Sequence, residues 1–465
     1  MFFIEGVHPV NLHAPVHNRS LKSIWEWTSH DSKFRNAHLC TLERLDDEST
    51  YSCHWSVNLQ KNFDIEADGN LIIKPLFENA GIFIFKQVST HEISLAMFEV
   101  YAFRFIPFIW NPVKLGSDVT RVCTISRVED FMTVYWTHNG KATDGTEFRY
   151  KNTHFLILKN VEEKSQGKYT CVLKIDETTE FGVFNNITIE SSEKQLDYTL
   201  YREKSAESKV QLLCRLPNSY SNASWSWKSV DSPESDLQLL ASTGPNYSEN
   251  VFHASHRNRF LSPGIIHSSH RFTMEIWHVN FEDAGIYVCN VDSHTYLRIK
   301  LITVEVSVSV GNMAGRTAAQ LKCMLSGVSE AVRLTWMKED GHTMVLVKDK
   351  NLTSDADRIL SLVIPNISKV LQKWACVVFK ENIPTAFFPL KLKESESNPN
   401  VSTHIMIAIG VVLCVIFIGI AISFFIKKKI DSNLDSDVCV ENIYENVGWK
   451  EEMPLERLNS TKLPG

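Results

Sequence analysis

Two long segments of the chain alternate apolar and polar residues in the way that a β-strand does. They are residues 93–113, ISLAMFEVYAFRFIPFIWNPV, and residues 297–312, LRIKLITVEVSVSVGN. Successive side chains of a strand point to opposite faces, so Tyr101, Phe103 and Phe105 share one face of the first segment. Neither segment contains a Gly-Ser spacer. Each therefore predicts a last strand of one domain that continues directly into the next domain.

Residues 190–209, ESSEKQLDYTLYREKSAESK, break this pattern because they are charged and polar. Polar segments between periodic ones are typical of loops, and we expect a hinge here. The chain ahead of residue 405 is thus predicted to form two stiff pairs of domains joined by a bend.

Residues 405–426 contain no charged side chain, and a helix of that length crosses the roughly 30 Å hydrocarbon core of a bilayer. Lys427, Lys428 and Lys429 follow at once, which places the tail in the cytoplasm and residues 1–404 outside. The sequence predicts a single-pass type I protein of the plasma membrane with an extracellular N-terminus. No basic region and apolar core typical of a signal peptide precede Glu5, so we expect an incomplete or alternative start; otherwise residues 405–426 act as the insertion signal.

Glycosylation sequons and cysteine usage both favour an extracellular location. The sequons on the proposed outer side are at Asn18, Asn186, Asn222, Asn246, Asn351, Asn366 and Asn400. Three cysteines are each followed 13 residues later by a tryptophan; the pairs are Cys123 and Trp136, Cys214 and Trp227, and Cys323 and Trp336. One architecture is therefore repeated along the chain.

Each of these tryptophans is followed by a second cysteine with an aromatic residue two positions ahead of it. The motifs are SQGKYTC with Tyr169 and Cys171, EDAGIYVC with Tyr287 and Cys289, and LQKWAC with Trp374 and Cys376. A buried tryptophan packed against a disulfide between two sheets is the mark of an immunoglobulin sandwich. We predict the disulfides Cys123–Cys171, Cys214–Cys289 and Cys323–Cys376, with the aromatic residues in the sandwich cores.

Residues 1–104 carry a degenerate copy of the same pattern. In ENAGIFIF, Phe83 stands for the tyrosine and Phe85 for the second cysteine, and Ala14 lies 13 residues ahead of Trp27. A small residue opposite a large one fills the volume of a disulfide, so we predict a core of Ala14 and Phe85 packed on Trp27. This domain is expected to be the least stable of the four.

Cys40 and Cys53 lie in a polar insert after the Trp27 strand, too close together for a bridge between sheets. We predict that they staple this insert as a loop. The alternatives are free thiols, a partner in a missing N-terminal segment, or a parse in which DDESTYSC ends at the second cysteine of the domain. That parse leaves ENAGIFIF unexplained.

The separation of paired cysteines distinguishes domain types, because variable-type domains carry two additional strands. It is 48 residues (171 − 123), 75 residues (289 − 214) and 53 residues (376 − 323). The predicted fold is all-β, with four tandem immunoglobulin-like sandwiches and one transmembrane α-helix. The predicted divisions are 1–104 (V-type), 105–190 (C-type), 191–307 (V-type), 308–393 (C-type), 394–404 (stalk), 405–426 (span) and 427–465 (tail).

This order of domains, with Trp374 two residues ahead of Cys376, resembles the T-cell co-receptors that bind MHC class II. Within that group the lymphocyte activation gene three type is the closer likeness, because its third domain has CRLP at the first cysteine, as Cys214 to Pro217 do here. The resemblance implies that the first domain binds MHC class II through its insert. It also suggests self-association as a homodimer and a fibrinogen-like ligand.

Residues of the insert are the candidate ligand contacts, since loops at a sandwich end are free to meet a partner. The candidates are Lys33, Arg35, Arg44 and Trp55. The insert could equally be a solvated loop without a ligand. In the tail, Tyr444 with Asn446 two residues later predicts a phosphorylation site for a phosphotyrosine-binding adaptor; the alternative is an unmodified tyrosine.

Enzyme chemistry, cofactors and metal sites are not expected. No nucleophile elbow, phosphate loop or paired carboxylates are visible, and the histidine pairs in HASH and HSSH lack flanking cysteines. A net charge of −6 gives no reason to expect a nucleic-acid partner. The preferred hypothesis is an inhibitory co-receptor; a cytokine-binding or decoy receptor and a homophilic adhesion molecule remain alternatives.

Overall fold

The structure is a computed structural model, and it divides into two units, Met1–Lys391 and Leu392–Gly465. In the second unit, residues 418–420, 422–423 and 426 are helical. Among the described residues no helix is both long and apolar enough to cross a membrane, and most of the predicted span 405–426 lies outside them. The residues described are 1–15, 22–44, 51–56, 59–88, 92–106, 112–190, 196–230, 236–244, 251–252, 260–261, 265–266, 271–313, 316–328, 330–365, 373–391 and the helical ones above.

Domain 1 is a sandwich of a large sheet and a small one. In the large sheet, strands β9, β8, β3, β4 and β5 lie side by side, with β1 parallel to β9, and the small sheet has the order β2-β7-β6. Its strands are β1 (Phe2–Ile4), β2 (Val10–Leu12), β3 (Lys22–Ser29), β4 (Ala37–Arg44), β5 (Tyr51–Trp55), β6 (Phe63–Ile65), β7 (Leu71–Ile73), β8 (Gly81–Val88) and β9 (Glu92–Ile106).

Domain 2 has the shorter, constant-like arrangement. One sheet has the order β13-β14-β10-β9 and the other the order β12-β11-β15-β16. The strands are β10 (Val119–Ile125), β11 (Thr133–His138), β12 (Lys141–Ala142), β13 (Thr146–Tyr150), β14 (Thr153–Leu158), β15 (Gly167–Lys174) and β16 (Glu180–Ile187).

Domain 3 has additional strands between its cysteines, as a variable-type domain does. Strands β21, β20, β19, β25 and β26 form one sheet, with β17 parallel to β26, and β18, β24, β22 and β23 form the other. They are β17 (Leu196–Glu203), β18 (Lys209–Arg215), β19 (Ala223–Ser229), β20 (Gln238–Thr243), β21 (Val251–Phe252), β22 (Phe260–Leu261), β23 (Ile265–Ile266), β24 (Arg271–Trp277), β25 (Gly285–Val291) and β26 (His294–Met313).

Domain 4 packs the sheet β26-β27-β30 against the sheet β29-β28-β31-β32. Its strands are β27 (Arg316–Leu325), β28 (Val332–Asp340), β29 (Thr343–Leu352), β30 (Ile359–Ile364), β31 (Trp374–Lys380) and β32 (Ile383–Pro389). Short 3-10 turns in the four domains lie at Phe77–Asn79, Glu163–Ser165, Phe281–Asp283 and Asp355–Asp357.

Strands β9 and β26 each belong to two domains, as the alternating segments of the sequence predict. The first part of β9 pairs with β8 of domain 1, and Phe103 to Ile106 pair with β10 of domain 2. Strand β26 pairs with β25 of domain 3 and then, from Val304, with β27 of domain 4. A shared strand leaves no spacer in which two domains could turn independently, so each pair is stiff.

The structure contains the four predicted disulfides, Cys40–Cys53, Cys123–Cys171, Cys214–Cys289 and Cys323–Cys376. Trp136 and Trp336 lie buried on the strands that pair with Cys171 and Cys376. The prediction for domain 3 is wrong by two residues. Trp225 pairs with Cys289 and is fully buried, whereas Trp227 is only partly buried. Strand alternation explains this, because residues two apart share a face, and the 13-residue spacing selects Trp227 whereas Trp225 lies 11 residues after Cys214.

The same shift applies to domain 1. Phe85 and Trp27 are both buried as predicted, but the cross-strand partner of Phe85 is Trp25, while Trp27 packs against Phe83. The indole of Trp25 donates a hydrogen bond to the carbonyl oxygen of Gly69. Trp225 donates the equivalent bond to the carbonyl oxygen of Phe272, which pairs with Cys214. Trp336 donates it to the carbonyl oxygen of Leu360, which pairs with Cys323.

Ala14 does occupy the position of the first cysteine in domain 1. In the small sheet Leu12 pairs with Leu71, and continuing this antiparallel register by two residues brings Ala14 opposite Gly69. Ala14 is 11 residues ahead of Trp25, the separation that Cys214 has from Trp225. Domains 1 and 3 therefore share one core plan, with a disulfide in domain 3 and an alanine and a phenylalanine in domain 1.

Part of the predicted hinge is regular structure. Residues 196–203 form β17, and the guanidinium of Arg202 makes a buried ion pair with Asp118 of domain 2, with Nη2 2.9 Å from Oδ1. Domain 4 lies against domain 2, so the first unit is folded back on itself. The two stiff pairs are joined by a bend that specific contacts hold.

Candidate functional site

The large sheet of domain 1 has an apolar outer surface beside its buried inner one. Phe83 and Phe85 on β8 face the core, so Ile82 and Ile84 between them face outward. On the neighbouring strand β9, three apolar side chains are exposed: Ile93 (55 %), Leu95 (38 %) and Met97 (72 %). We define the domain 1 face as Ile82, Ile84 and Met97, together with the exposed Leu95 two residues from Met97.

A β-bulge shapes this face. Phe85 pairs with Ala96 and Lys86 pairs with Ser94, so Leu95 is an additional residue in β9. A bulge of this kind bends the strand and redirects the side chains beside it. The extra residue reverses the alternation along β9: Met97 pairs with Ile84 on the outer face, whereas Ile93 pairs with Gln87, which shares the core side of β8 with Phe85.

One ion pair lies beside the apolar residues. The ammonium of Lys86 is 2.8 Å from a carboxylate oxygen of Glu26, and both side chains are largely buried. Farther across the sheet, the imidazole of His54 lies 3.0 Å from Glu43. The face therefore combines an apolar centre with charged groups at its side, the composition found in the core and rim of protein interfaces.

Strand β9 also presents a backbone edge. Among the described residues, its segment 93–98 pairs with β8 on one side, while β1 pairs farther along, with Tyr101 to Phe103. A sheet edge with exposed apolar side chains is a template for binding another chain. The edge and the domain 1 face are adjacent, so one partner could use both.

The candidate residues of the sequence do not form one contact surface. Lys33 and Arg35 lie in the β3–β4 turn, at the end of the sheet where His30 contacts Ser126 of domain 2. Arg44 ends β4 at the opposite end of the sheet, beside the first residues of β3. Trp55 is half-buried against the domain 1 core.

The predicted loop is therefore two strands. Residues 37–44 and 51–55 extend the large sheet as β4 and β5, and the disulfide Cys40–Cys53 joins these neighbouring strands. The prediction of a loop at the sandwich end is wrong, because the polar composition of the insert conceals two further strands of the sheet, of which β5 is the outer one. The parse that made Cys53 the second cysteine of the sandwich is also wrong, since Cys53 lies on the outer strand β5.

A polar cluster fixes the joint between domains 1 and 2. The ring of His30 lies 3.5 Å from Glu99 and 2.8 Å from the hydroxyl of Ser126, and Arg127 lies 3.6 Å from Glu99. The hydrogen bond with His30 lowers the pKa of Glu99 below its usual value. Burial raises the pKa of Tyr101, which keeps its hydroxyl protonated. These groups pair with each other and hold domain 1 against domain 2.

A cavity of about 680 Å³ lies where domains 2, 3 and 4 meet. Among its charged lining residues, Lys380 pairs with Glu330 at 2.5 Å, and the Lys114 ammonium donates to the Asp197 carbonyl oxygen. Within the described part of the chain, no three His, Cys, Asp or Glu side chains are placed to hold a metal ion. The histidines of HASH and HSSH lie outside the described residues, as does Tyr444.

The sequon asparagines within the described residues are accessible to solvent. Asn186, Asn222 and Asn351 are exposed on domains 2, 3 and 4. The other four, Asn18, Asn246, Asn366 and Asn400, lie outside the described residues. Glycosylation at the exposed positions stays a prediction.

One family model and two solved structures are similar to parts of this chain, and the family model agrees with the sandwich fold of domain 3. Residues 200–309, which include most of domain 3, match the immunoglobulin V-set domain family. No curated protein matches the chain. A solved structure of domains 3 and 4 of rat CD4 is 15 % identical, with 42 % of this chain and 100 % of that chain covered and a TM-score of 0.31. A structure from work on cell-adhesive interactions of VGSC beta subunits is 15 % identical, with 25 % and 95 % covered and a TM-score of 0.20.

Proposed function

We propose that this chain is a single-pass cell-surface immune receptor that binds MHC class II through its first domain and acts as an inhibitory co-receptor. The observation that carries the proposal is the exposure of Leu95 and Met97 on the domain 1 face. Contiguous exposed apolar side chains mark interaction sites on proteins in water. The order of the four sandwiches and the CRLP and Trp-x-Cys motifs support a co-receptor, and residues 405–426 support an anchor.

The proposed contact lies outside the insert that the sequence indicated. Lys33 and Arg35 lie toward domain 2, and Trp55 faces inward, whereas Met97 is exposed on the outer face of the sheet. Apolar residues at the centre of an interface carry most of its binding free energy. We therefore propose Leu95 and Met97 as the main contacts.

Capture of residues 1–391 by cells tests this function. Cells that display MHC class II should retain the soluble protein, and matched cells without it should not. Met97→Glu and Leu95→Lys should each reduce capture at least tenfold, since a charge is buried in the contact. Val310→Glu, at a 60 % exposed position of β26, should bind like the wild type. Deletion of residues 30–58 is not a suitable test because it removes β4 and β5.

Other outcomes decide between the alternatives. Equal capture by both cell types would contradict MHC class II recognition. Retention of a soluble cytokine would favour the decoy receptor, and retention of the protein by cells that display this same chain would favour homophilic adhesion.

We also propose that phosphorylated Tyr444 binds an adaptor of the Src-homology-two type. Asn446 at plus two suits the pocket of such an adaptor. A phosphorylated peptide of residues 438–450 should retain the adaptor from solution, whereas the unphosphorylated peptide and Asn446→Ala should not. Equal binding by the Asn446→Ala phosphopeptide would contradict the assignment.

A further inference from the structure

Domains 2 and 4 each have a second apolar surface beyond their own cores. On β14 the side chains of Leu156 and Leu158 face the domain 2 core, whereas Phe155 and Ile157 face domain 4. Strand β31 is likewise buried on both faces. We define the domain 2 face as Val122, Phe148, Phe155 and Ile157, and the domain 4 face as Met337, Met344, Ala375, Val377, Phe379 and Phe387.

The two faces pack as a protein core does. The rings of Phe148 and Phe387 stack with centroids 4.9 Å apart, and Phe148 also stacks on Phe155 at 5.0 Å. The hydroxyl of Thr120 donates a hydrogen bond to the carbonyl oxygen of Pro384 across the contact. All four residues of the domain 2 face are buried. Left uncovered, such a face would be an exposed apolar patch of the kind that binds another protein.

Contacts at the joint between domains 2 and 3 keep the faces together. Arg202 and Asp118 form the buried ion pair described above, and the amide of Asn160 donates to Gln211 at 3.0 Å. Domain 4 is rigidly joined to domain 3 through β26. The closed arrangement thus depends on one joint and one apolar contact.

We propose that domain 4 covers an adhesive face of domain 2, and that the same two faces join two copies of this chain when the cover opens. In the structure the domain 4 face fits the domain 2 face. A second copy of the chain carries the same domain 4 face. Reciprocal exchange forms every contact of the closed chain twice, as domain swapping does. Two linked domains meet at an effective concentration of about 1 mM, so the closed single chain prevails in dilute solution and exchange requires crowding of receptors.

Charge pairs at the stacked rings test the proposal on residues 1–391. Phe148→Lys and Phe387→Glu each bury an unpaired charge in the contact and should open the chain. Each variant alone should remain a monomer with a larger radius of gyration in small-angle scattering and a lower sedimentation coefficient. The Phe148→Lys/Phe387→Glu chain pairs the two charges and should return to the compact wild-type size.

An equimolar mixture of the two single variants gives the decisive result. One exchanged contact is then Phe148 on Phe387 and the other is Lys on Glu, so a 1:1 dimer should form. A mixture that stays monomeric up to about 1 mM would overturn the proposal, as would single variants that keep the compact size. Phe131→Lys and Val363→Glu, at positions 69 % and 48 % exposed, are the charge controls and should behave as the wild type. The reversed pair, Phe148→Glu and Phe387→Lys, repeats the test if a first variant does not fold.

Discussion

Trp25 and Phe85 are cross-strand partners whose ring centroids lie 4.9 Å apart, where domain 3 places Trp225 beside the cysteine of a disulfide. Both aromatic side chains are fully buried. The first sandwich therefore relies on ring packing for the cohesion that a covalent bond supplies in the other three.

Truncation of the Phe85 side chain should destabilise domain 1 selectively. Phe85→Ala removes a fully buried phenylalanine, which costs about 3–5 kcal/mol of unfolding free energy. Chemical denaturation of residues 1–391 should show the first transition at lower denaturant, with the later transitions unchanged. Ile93→Ala, at a 55 % exposed position of the same sheet, should change the midpoint little; an equal loss in both variants would contradict the role assigned to Phe85.

A disulfide between the two sheets of domain 1 can be introduced at the positions that the repeat assigns to cysteine. Ala14 and Phe85 occupy these positions, so Ala14→Cys/Phe85→Cys should form the bridge. The bridge should recover about 2–4 kcal/mol relative to Phe85→Ala. Peptide mapping without reductant checks the linkage. If either introduced cysteine is found linked to Cys40 or Cys53, or if both remain free thiols, the positions are misassigned.

The two tryptophans of strand β19 in domain 3 differ in burial. The indole of Trp225 donates to the carbonyl oxygen of Phe272 at 3.2 Å in the buried core. Trp225→Phe leaves that carbonyl without its donor and should cost about 1–3 kcal/mol beyond the lost packing. Trp227→Phe should cost less because Trp227 is partly exposed. Thermal unfolding of the two variants is the measurement, and a larger loss for Trp227→Phe would contradict the core assignment.

Acid should weaken the joint between domains 1 and 2. The hydrogen bond with His30 lowers the pKa of Glu99 from 4.5, so folding is stabilised above that pH and the stabilisation disappears as the pH falls through the lower folded pKa. Thermal midpoints measured from pH 7 to pH 3 should fall more steeply for the wild type than for Glu99→Gln below about pH 4.5. Parallel curves for the two proteins would show that Glu99 does not contribute.

The buried pair at the bend should respond differently to single and double substitution. Arg202→Met leaves Asp118 buried without its partner and should cost about 3–5 kcal/mol. Asp118→Leu/Arg202→Met replaces both charges with apolar groups and should recover most of the loss. Denaturation midpoints of the wild type, Asp118→Leu, Arg202→Met and the double variant give the coupling free energy. Additive losses in the double variant would contradict a direct interaction.

The repeat of cysteines, tryptophans and aromatic residues was sufficient to predict the sandwiches, because the core of each one depends on short spacings within the sequence. It placed Phe85 and Ala14 in the positions of a missing disulfide. It did not resolve Trp25 from Trp27 or Trp225 from Trp227, since residues two apart on a strand share a face and only pairing with the opposite strand distinguishes them.

The sequence by itself determined the four modules, their disulfides and the continuous strands β9 and β26, all of which follow from local patterns. The tertiary structure alone decided that the polar insert continues the sheet, that Met97 is exposed while Trp55 is not, and that domain 4 covers domain 2. These features depend on contacts between residues far apart in the chain, such as Phe148 with Phe387. A pattern of apolar residues shows that a surface needs cover, but only the folded chain shows which surface provides it.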